Sequence, residues 1–131
     1  MRRQSRELAL QILFQLEFTS PVPYSEFLEL FEKSYDKESL AYAEQIIAGV
    51  QTHKAEIDSL IQSFSTHWSL ARMALVDRNL LRIALFEMKW SEEKIKPNIV
   101  INEVIEIAKK YGTTDSAQFI NGVLDSIAKG L

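Results

Sequence analysis

Cysteine is missing from this chain of 131 residues, which excludes disulfides, thiolate nucleophiles and thiolate metal sites and fits a reducing compartment. Glycine and proline are scarce, with four and three copies, and the glycines at 49, 112, 122 and 130 are too scattered to cradle a phosphate in a dinucleotide or Walker loop. Nucleotide-dependent catalysis is therefore not expected. The two histidines, His53 and His67, fall outside any H-x-x-x-H or H-E-x-x-H spacing, so both are read as exposed or capping residues and no metal site is assigned. The serines have no nucleophile-elbow context, and most glutamates fall on outer helical faces. No catalytic residue and no cofactor is assigned, and nothing argues for an enzyme. Long apolar runs are absent too. The first hydrophobic stretch is cut by Glu7, Gln11, Gln15 and Glu17, so it is neither a signal segment nor a membrane span. With 47% hydrophobic and 25% charged residues, a single cytoplasmic globular domain is the expectation.

Acids are missing at one informative place. Residues 1–6 hold Arg2, Arg3 and Arg6, half of the six arginines, and no acid, yet they lead straight into a helical pattern from Glu7 to Phe18. Positive charge in a first turn opposes the helix dipole by about 0.3–1 kcal/mol per exposed charge, so helix stability alone favours Asp or Glu there. From Glu7 to Phe64 ten acids face only Lys33, Lys37 and Lys54, so the net charge of −3 conceals a local +3 beside a local −7. A polyanion must then be held at a local patch rather than by overall charge. The alternative is a frayed basic terminus that binds nothing.

What remains is helical. Apolar residues recur at a period near 3.6, and the fold class is all-α, about seven helices. In the first helix Leu8, Ala9, Ile12, Leu13 and Leu16 make one apolar arc, with Leu10 and Phe14 beside it on the side of Arg3 and Arg6. A second, about Tyr24 to Ser34, follows a turn at Pro21 and Pro23 and has Phe27, Leu28, Leu30 and Phe31 to bury. A third is expected as one rod from Glu38 to Phe64, its stripe broken only by Lys54, with Gly49 serving close helix packing. After Trp68 a short turn precedes a helix from Val76 to Lys89, apolar on so much of its circumference that it sits centrally. The next starts at Pro97 and stops before Gly112, with Glu106 and Lys110 paired at i,i+4. The last spans Ser116 to Lys129, with Asp115 as N-cap and Gln118 three residues later, close to a capping box.

Five segments in register resemble the bacterial NusB family of transcription antitermination factors. They are Arg2-Arg3-x-x-Arg6-Glu7-Leu8-Ala9-Leu10-Gln11-Ile12-Leu13-Phe14, then Ala48-Gly49-Val50, then Val76-Asp77-Arg78-x-Leu80-Leu81-Arg82-Ile83-Ala84-Leu85-Phe86-Glu87, then Ile101-Asn102-Glu103-Val104-Ile105-Glu106-Ile107-Ala108-Lys109, and last Phe119-Ile120-Asn121-Gly122-Val123-Leu124-Asp125. A related domain on some ribosomal-RNA cytosine methyltransferases would need a catalytic domain beyond the present chain. The resemblance implies a single domain over 1–131 in two three-helix subdomains, about 1–66 and 67–131. It also implies an RNA-binding adaptor that joins a small-subunit ribosomal protein, NusE, on boxA-type single-stranded RNA, and so reaches the RNA polymerase elongation complex with other antitermination factors during ribosomal-RNA transcription.

By the same resemblance Arg2, Arg3 and Arg6 contact phosphates and Phe14 lies at the RNA face with Gln11 nearby. Two positions depart from the family pattern: Gln4 replaces a basic residue, which weakens phosphate binding, and Phe14 replaces a tyrosine, which removes a hydroxyl but keeps a stacking surface. The family also puts the turn carrying Asp115, Ser116, Gln118 and Phe119 beside the first helix, where a helix N-terminus takes phosphate and the acid Asp115 opposes RNA. The ribosomal-protein contact falls around Asp77 and Arg78, at the exposed start of their helix, while Arg82 pairs internally. A homodimer of the free chain stays open. The competing reading is a protein-interaction scaffold with no RNA affinity of its own, favoured by the acidic stretch Glu26 to Glu44. A DNA-reading helix-turn-helix is disfavoured, because no recognition helix rich in Arg, Asn or Gln closes a short helix pair.

Overall fold

A computed structural model describes residues 2–18, 23–65 and 68–130. The turn expected at Pro21, His67 and the proposed subdomain boundary at 66–67 lie outside them. Seven α-helices follow in order: α1 Arg2–Leu16, α2 Tyr24–Leu30, α3 Lys37–Thr52, α4 Lys54–Phe64, α5 Leu75–Leu85, α6 Pro97–Tyr111 and α7 Ser116–Lys129. A single 3₁₀ turn, Leu70–Arg72, precedes α5, and a wide π turn, Phe86–Trp90, continues it. Among the described residues there is no strand, and no helix is long and apolar enough to cross a membrane.

Helix α5 is the axle. Its Leu80, Leu81, Ile83, Ala84 and Leu85 are all buried, and it packs against α1, α3, α4, α6 and α7. Burying each such aliphatic side chain contributes about 1.5–3 kcal/mol, so a helix apolar on most of its circumference belongs where neighbours surround it. Helix α1 packs on α3 and α5, and its Leu8, Ala9, Leu10, Ile12 and Leu13 are all buried. Gly49 of α3 meets the Phe86 ring so closely that a Cβ there would overlap it, which is the close packing expected of that glycine.

Several elements differ from expectation. The rod from Glu38 to Phe64 is two helices, broken at His53, which ends α3 and begins α4 with φ −104° and ψ 15°. A continuous stripe would have buried Lys54, and an unpaired ammonium in a core is costly. The break leaves Lys54 exposed and turns α4 onto α5 and α7. Helix α2 stops at Leu30, which is 76% exposed rather than buried. Helix α5 loses α geometry at Leu85 instead of continuing to Lys89. Glu106 pairs with Lys109, at 2.9 Å, and not with Lys110, which reaches α1 instead.

Candidate nucleic-acid interface

Residues 3, 7, 11 and 14 are spaced by four, four and three, which puts them on one face of α1. Arg3 and Gln11 are exposed. Phe14 is half-buried, with its ring centroid 5.2 Å from that of the exposed Phe18. Between them, Glu7 accepts hydrogen bonds from Lys110 Nζ at 3.0 Å and the Tyr111 hydroxyl at 2.9 Å. The last turn of α6 therefore lies against α1. Lys110 also stands 5.2 Å from the centre of the Tyr111 ring, and Tyr111, with an exposed face, immediately precedes Gly112.

The turn after α6 is held by Ser116, whose buried hydroxyl accepts the Thr113 N–H at 2.9 Å. Gly112 is required by close approach: its backbone is extended, and a Cβ would sit 2.5 Å from that hydroxyl. The capping box expected from Asp115 and Gln118 is not formed. Asp115 stands at the N-cap with helical angles, φ −93° and ψ −11°, whereas a capping side chain needs an extended backbone to reach the first amides, and it makes no cap bond. Asp115 and Gln118 are exposed, and Phe119 is half-buried.

The three arginines do not form one surface. Arg2 Nη2 donates to both Glu93 oxygens at 2.7 and 2.9 Å, and the guanidinium lies 3.7 Å from the centre of the Tyr42 ring. Arg3 binds Glu103 at 3.2 and 2.7 Å. Arg6 turns inward and is 2% exposed, a departure from the expected three-arginine surface. Its Nε and Nη2 donate to the two oxygens of the wholly buried Glu87 at 2.6 and 2.8 Å, and the Tyr42 hydroxyl donates to the same carboxylate at 2.5 Å. Burial opposes the Arg6 charge, but its bonds to Glu87 prevail and hold its pKa above the ordinary arginine value. Burial and the adjacent Glu87 push the Tyr42 phenol up, so it stays a donor. Arg3 holds the Glu103 carboxyl below the usual glutamate range.

A second polar cluster lies by the start of α5. Glu17 accepts from Arg78 Nε at 2.8 Å, Asn79 at 3.1 Å and Arg82 at 3.4 Å. Arg82 is bidentate to Asp58 of α4 at 2.8 and 3.0 Å, the internal pairing expected of it. Asp77 is buried and not at an exposed helix start, and its neighbour Arg78 ties the start of α5 to the preceding 3₁₀ turn by donating to the Leu70 carbonyl. Its Oδ1 has no hydrogen-bond partner among the described residues.

A profile of the NusB family matches residues 3–129. The chain belongs to the NusB family. The transcription antitermination protein NusB of Bdellovibrio bacteriovorus is 56% identical over 128 residues, covering 98% of this chain and 95% of its own length. T. maritima NusB superposes with a TM-score of 0.90 at 41% identity, covering 98% of this chain and 91% of that one. A crystal structure of the antitermination factors NusB and NusE in complex with dsRNA superposes with a TM-score of 0.84 at 28% identity, covering 99% of this chain and 97% of its match.

In this NusB family member the fold adds two kinds of residue to the site residues named from the sequence. Lys110 and Tyr111 lie beside the predicted site, and their position just before the glycine stop was the available signal. Glu87, Glu93 and Glu103, which neutralise the arginines, gave none, since each lies more than eighty residues from its partner.

Proposed function

We propose that this chain is an RNA-binding adaptor which, with NusE, recognises boxA-type single-stranded RNA and supports antitermination during ribosomal-RNA transcription, within the elongation complex and in the bacterial cytoplasm. It has no enzymatic role in this reading. The observation that carries the proposal is the stripe of Arg3, Gln11 and Phe14 on α1, extended by Lys110 and Tyr111 of α6. Cations that take phosphate and ring faces that take bases are the two elements single-strand recognition needs. Arg2 flanks the stripe, and Ser116, Gln118 and Phe119 border it at the start of α7, with Asp115 as an opposing charge. Arg6 acts through position, anchoring the α1 end that carries Arg2 and Arg3. In this reading the first subdomain, about 1–66, holds α1 to α4, the expected third helix being split in two, and the second, about 67–131, holds α5 to α7.

NusE is assigned to the end of α5 bearing Asp77 and Arg78. A buried oxygen without a donor costs about 1–3 kcal/mol, and a partner N–H supplied there would recover it. The NusB–NusE structure with dsRNA supports both partners. The decisive experiment is a titration with boxA-type RNA, single- and double-stranded, with and without NusE, at two salt concentrations. Log affinity is expected to fall with log salt by about 0.7 per phosphate contact, with tighter binding when NusE is present, and Arg3→Ala should weaken binding and flatten the slope. Absence of RNA binding in every arm leaves the scaffold reading, for which the exposed acids Glu26, Glu29, Glu32, Asp36, Glu38 and Glu44 offer a surface. Sedimentation of the same samples reports whether the free chain pairs with itself.

A further inference from the structure

Each exposed arginine at the start of α1 already holds an anion belonging to the protein. Glu93, from the segment after the π turn, accepts from Arg2 Nη2 with both its oxygens at 2.7 and 2.9 Å, and Glu103, from α6, takes the Nε–Nη2 fork of Arg3 at 3.2 and 2.7 Å. The Arg3 fork, two N–H groups facing two oxygens on one atom, is also the arrangement in which a guanidinium takes a phosphate. We propose that Glu93 and Glu103 occupy in the free protein the seats that two RNA phosphates take in the complex. RNA then binds by displacing these carboxylates instead of landing on bare arginines. The inference rests on the RNA-adaptor reading above and gives two acids the role of setting its affinity.

Exposure separates these pairs from the buried one, to which Glu103 is tied by a longer contact, Arg6 Nη1 donating to it at 3.4 Å. The side chains of Arg2 and Glu93 are 43% and 52% exposed, and those of Arg3 and Glu103 45% and 27%, so water can hydrate both members when they part. Arg6 and Glu87, at 3% and 0%, have no such route. Exchange has two consequences. Affinity is lower than two unoccupied arginines would give. The salt dependence is also flatter, because a released carboxylate regains a cation as the RNA loses one.

The test is Glu93→Gln and Glu103→Gln, singly and together, titrated with boxA-type RNA in the presence of NusE at about 50 and 200 mM salt. Each single change is expected to tighten binding about two- to fivefold at the lower salt, the double change more, and the slope should steepen toward about 0.7 per arginine released. Glu106→Gln, one turn along α6 and paired with Lys109 instead, controls for removing an acid from the neighbourhood and should give a smaller gain. Unchanged or weaker binding by Glu93→Gln, in a protein that melts like the parent, overturns the exchange while leaving the adaptor reading intact. Failure of the parent protein with NusE to bind RNA at either salt overturns both.

Discussion

Arg3 and Arg6 stand less than one turn apart on the same helix, yet one faces water and the other the core. The difference is set by what lies opposite. Arg3 meets an exposed surface with Glu103 at its edge, whereas Arg6 meets Glu87, a carboxylate with no access to water. Breaking a buried pair by removing one member costs about 3–5 kcal/mol, because the other charge is left uncompensated. Arg6→Met is therefore expected to lower unfolding stability by that amount in a urea titration, while Arg3→Ala leaves the urea midpoint nearly unchanged. Equal midpoints for the two variants would contradict this division between the exposed and the buried arginine. Nothing local distinguishes these arginines in the sequence. They share charge, helix and neighbourhood, and Glu87 lies 81 residues further on at the end of an apolar helix.

At the scale of elements, two glycines in helices make opposite demands. Gly49 of α3 faces the Phe86 ring with no room for a Cβ, whereas a Cβ on Gly122 of α7 would meet nothing within 4 Å. Gly49→Ala gains about 1 kcal/mol of helix propensity but forces an aromatic ring to shift, and overpacking of a core costs about 1–3 kcal/mol. A net loss is expected. Gly122→Ala meets no such opposition and should stabilise by about 0.4–1 kcal/mol. Thermal melts of the two variants should move in opposite directions, and a rise for both would show that Phe86 yields freely. The start and end of α6 and α7 were legible because Pro97 and Gly112 punctuate the chain chemically. The break at His53 was not, because no glycine or proline marks it. Its cause is the misfit of Lys54 with the buried stripe, which becomes apparent only once α5 and α7 are in place. Asp115 misled for a related reason: its residue type suits a cap, but its backbone angles do not.

For the whole molecule, the ion pairs fix how stability responds to pH. Burial works against the Glu17 carboxylate, but hydrogen bonds from Arg78 and Asn79 outweigh it and hold its pKa low, and Arg3 does the same for Glu103. A carboxyl depressed by folding contributes stability that is present above its unfolded pKa and is lost as pH falls through the folded one. Tyr42 is raised by burial and by Glu87, so its contribution is present below the unfolded tyrosine value and is lost as pH rises beyond about 10. Melting temperature is thus expected to be level from about pH 6 to 9, to fall below about pH 4.5, and to fall again above about pH 10. A profile without the acid arm would count against the Glu17 and Glu103 pairs, and one without the alkaline arm against the burial of Tyr42 on Glu87. The all-α class, the central helix and the family were all carried by local periodicity and short motifs. The internal neutralisation of the arginines is a property of the closed fold.

The separation of Arg6 from Glu87 has a temporal side. During synthesis α1 leaves the ribosome long before the π turn that anchors it, and Glu93 and Glu103 follow later still. Until those residues emerge, the basic end of α1 has none of its carboxylates. The nascent chain therefore passes through an interval in which these arginines have no distant carboxylate to hold, and completion of α6 ends that interval.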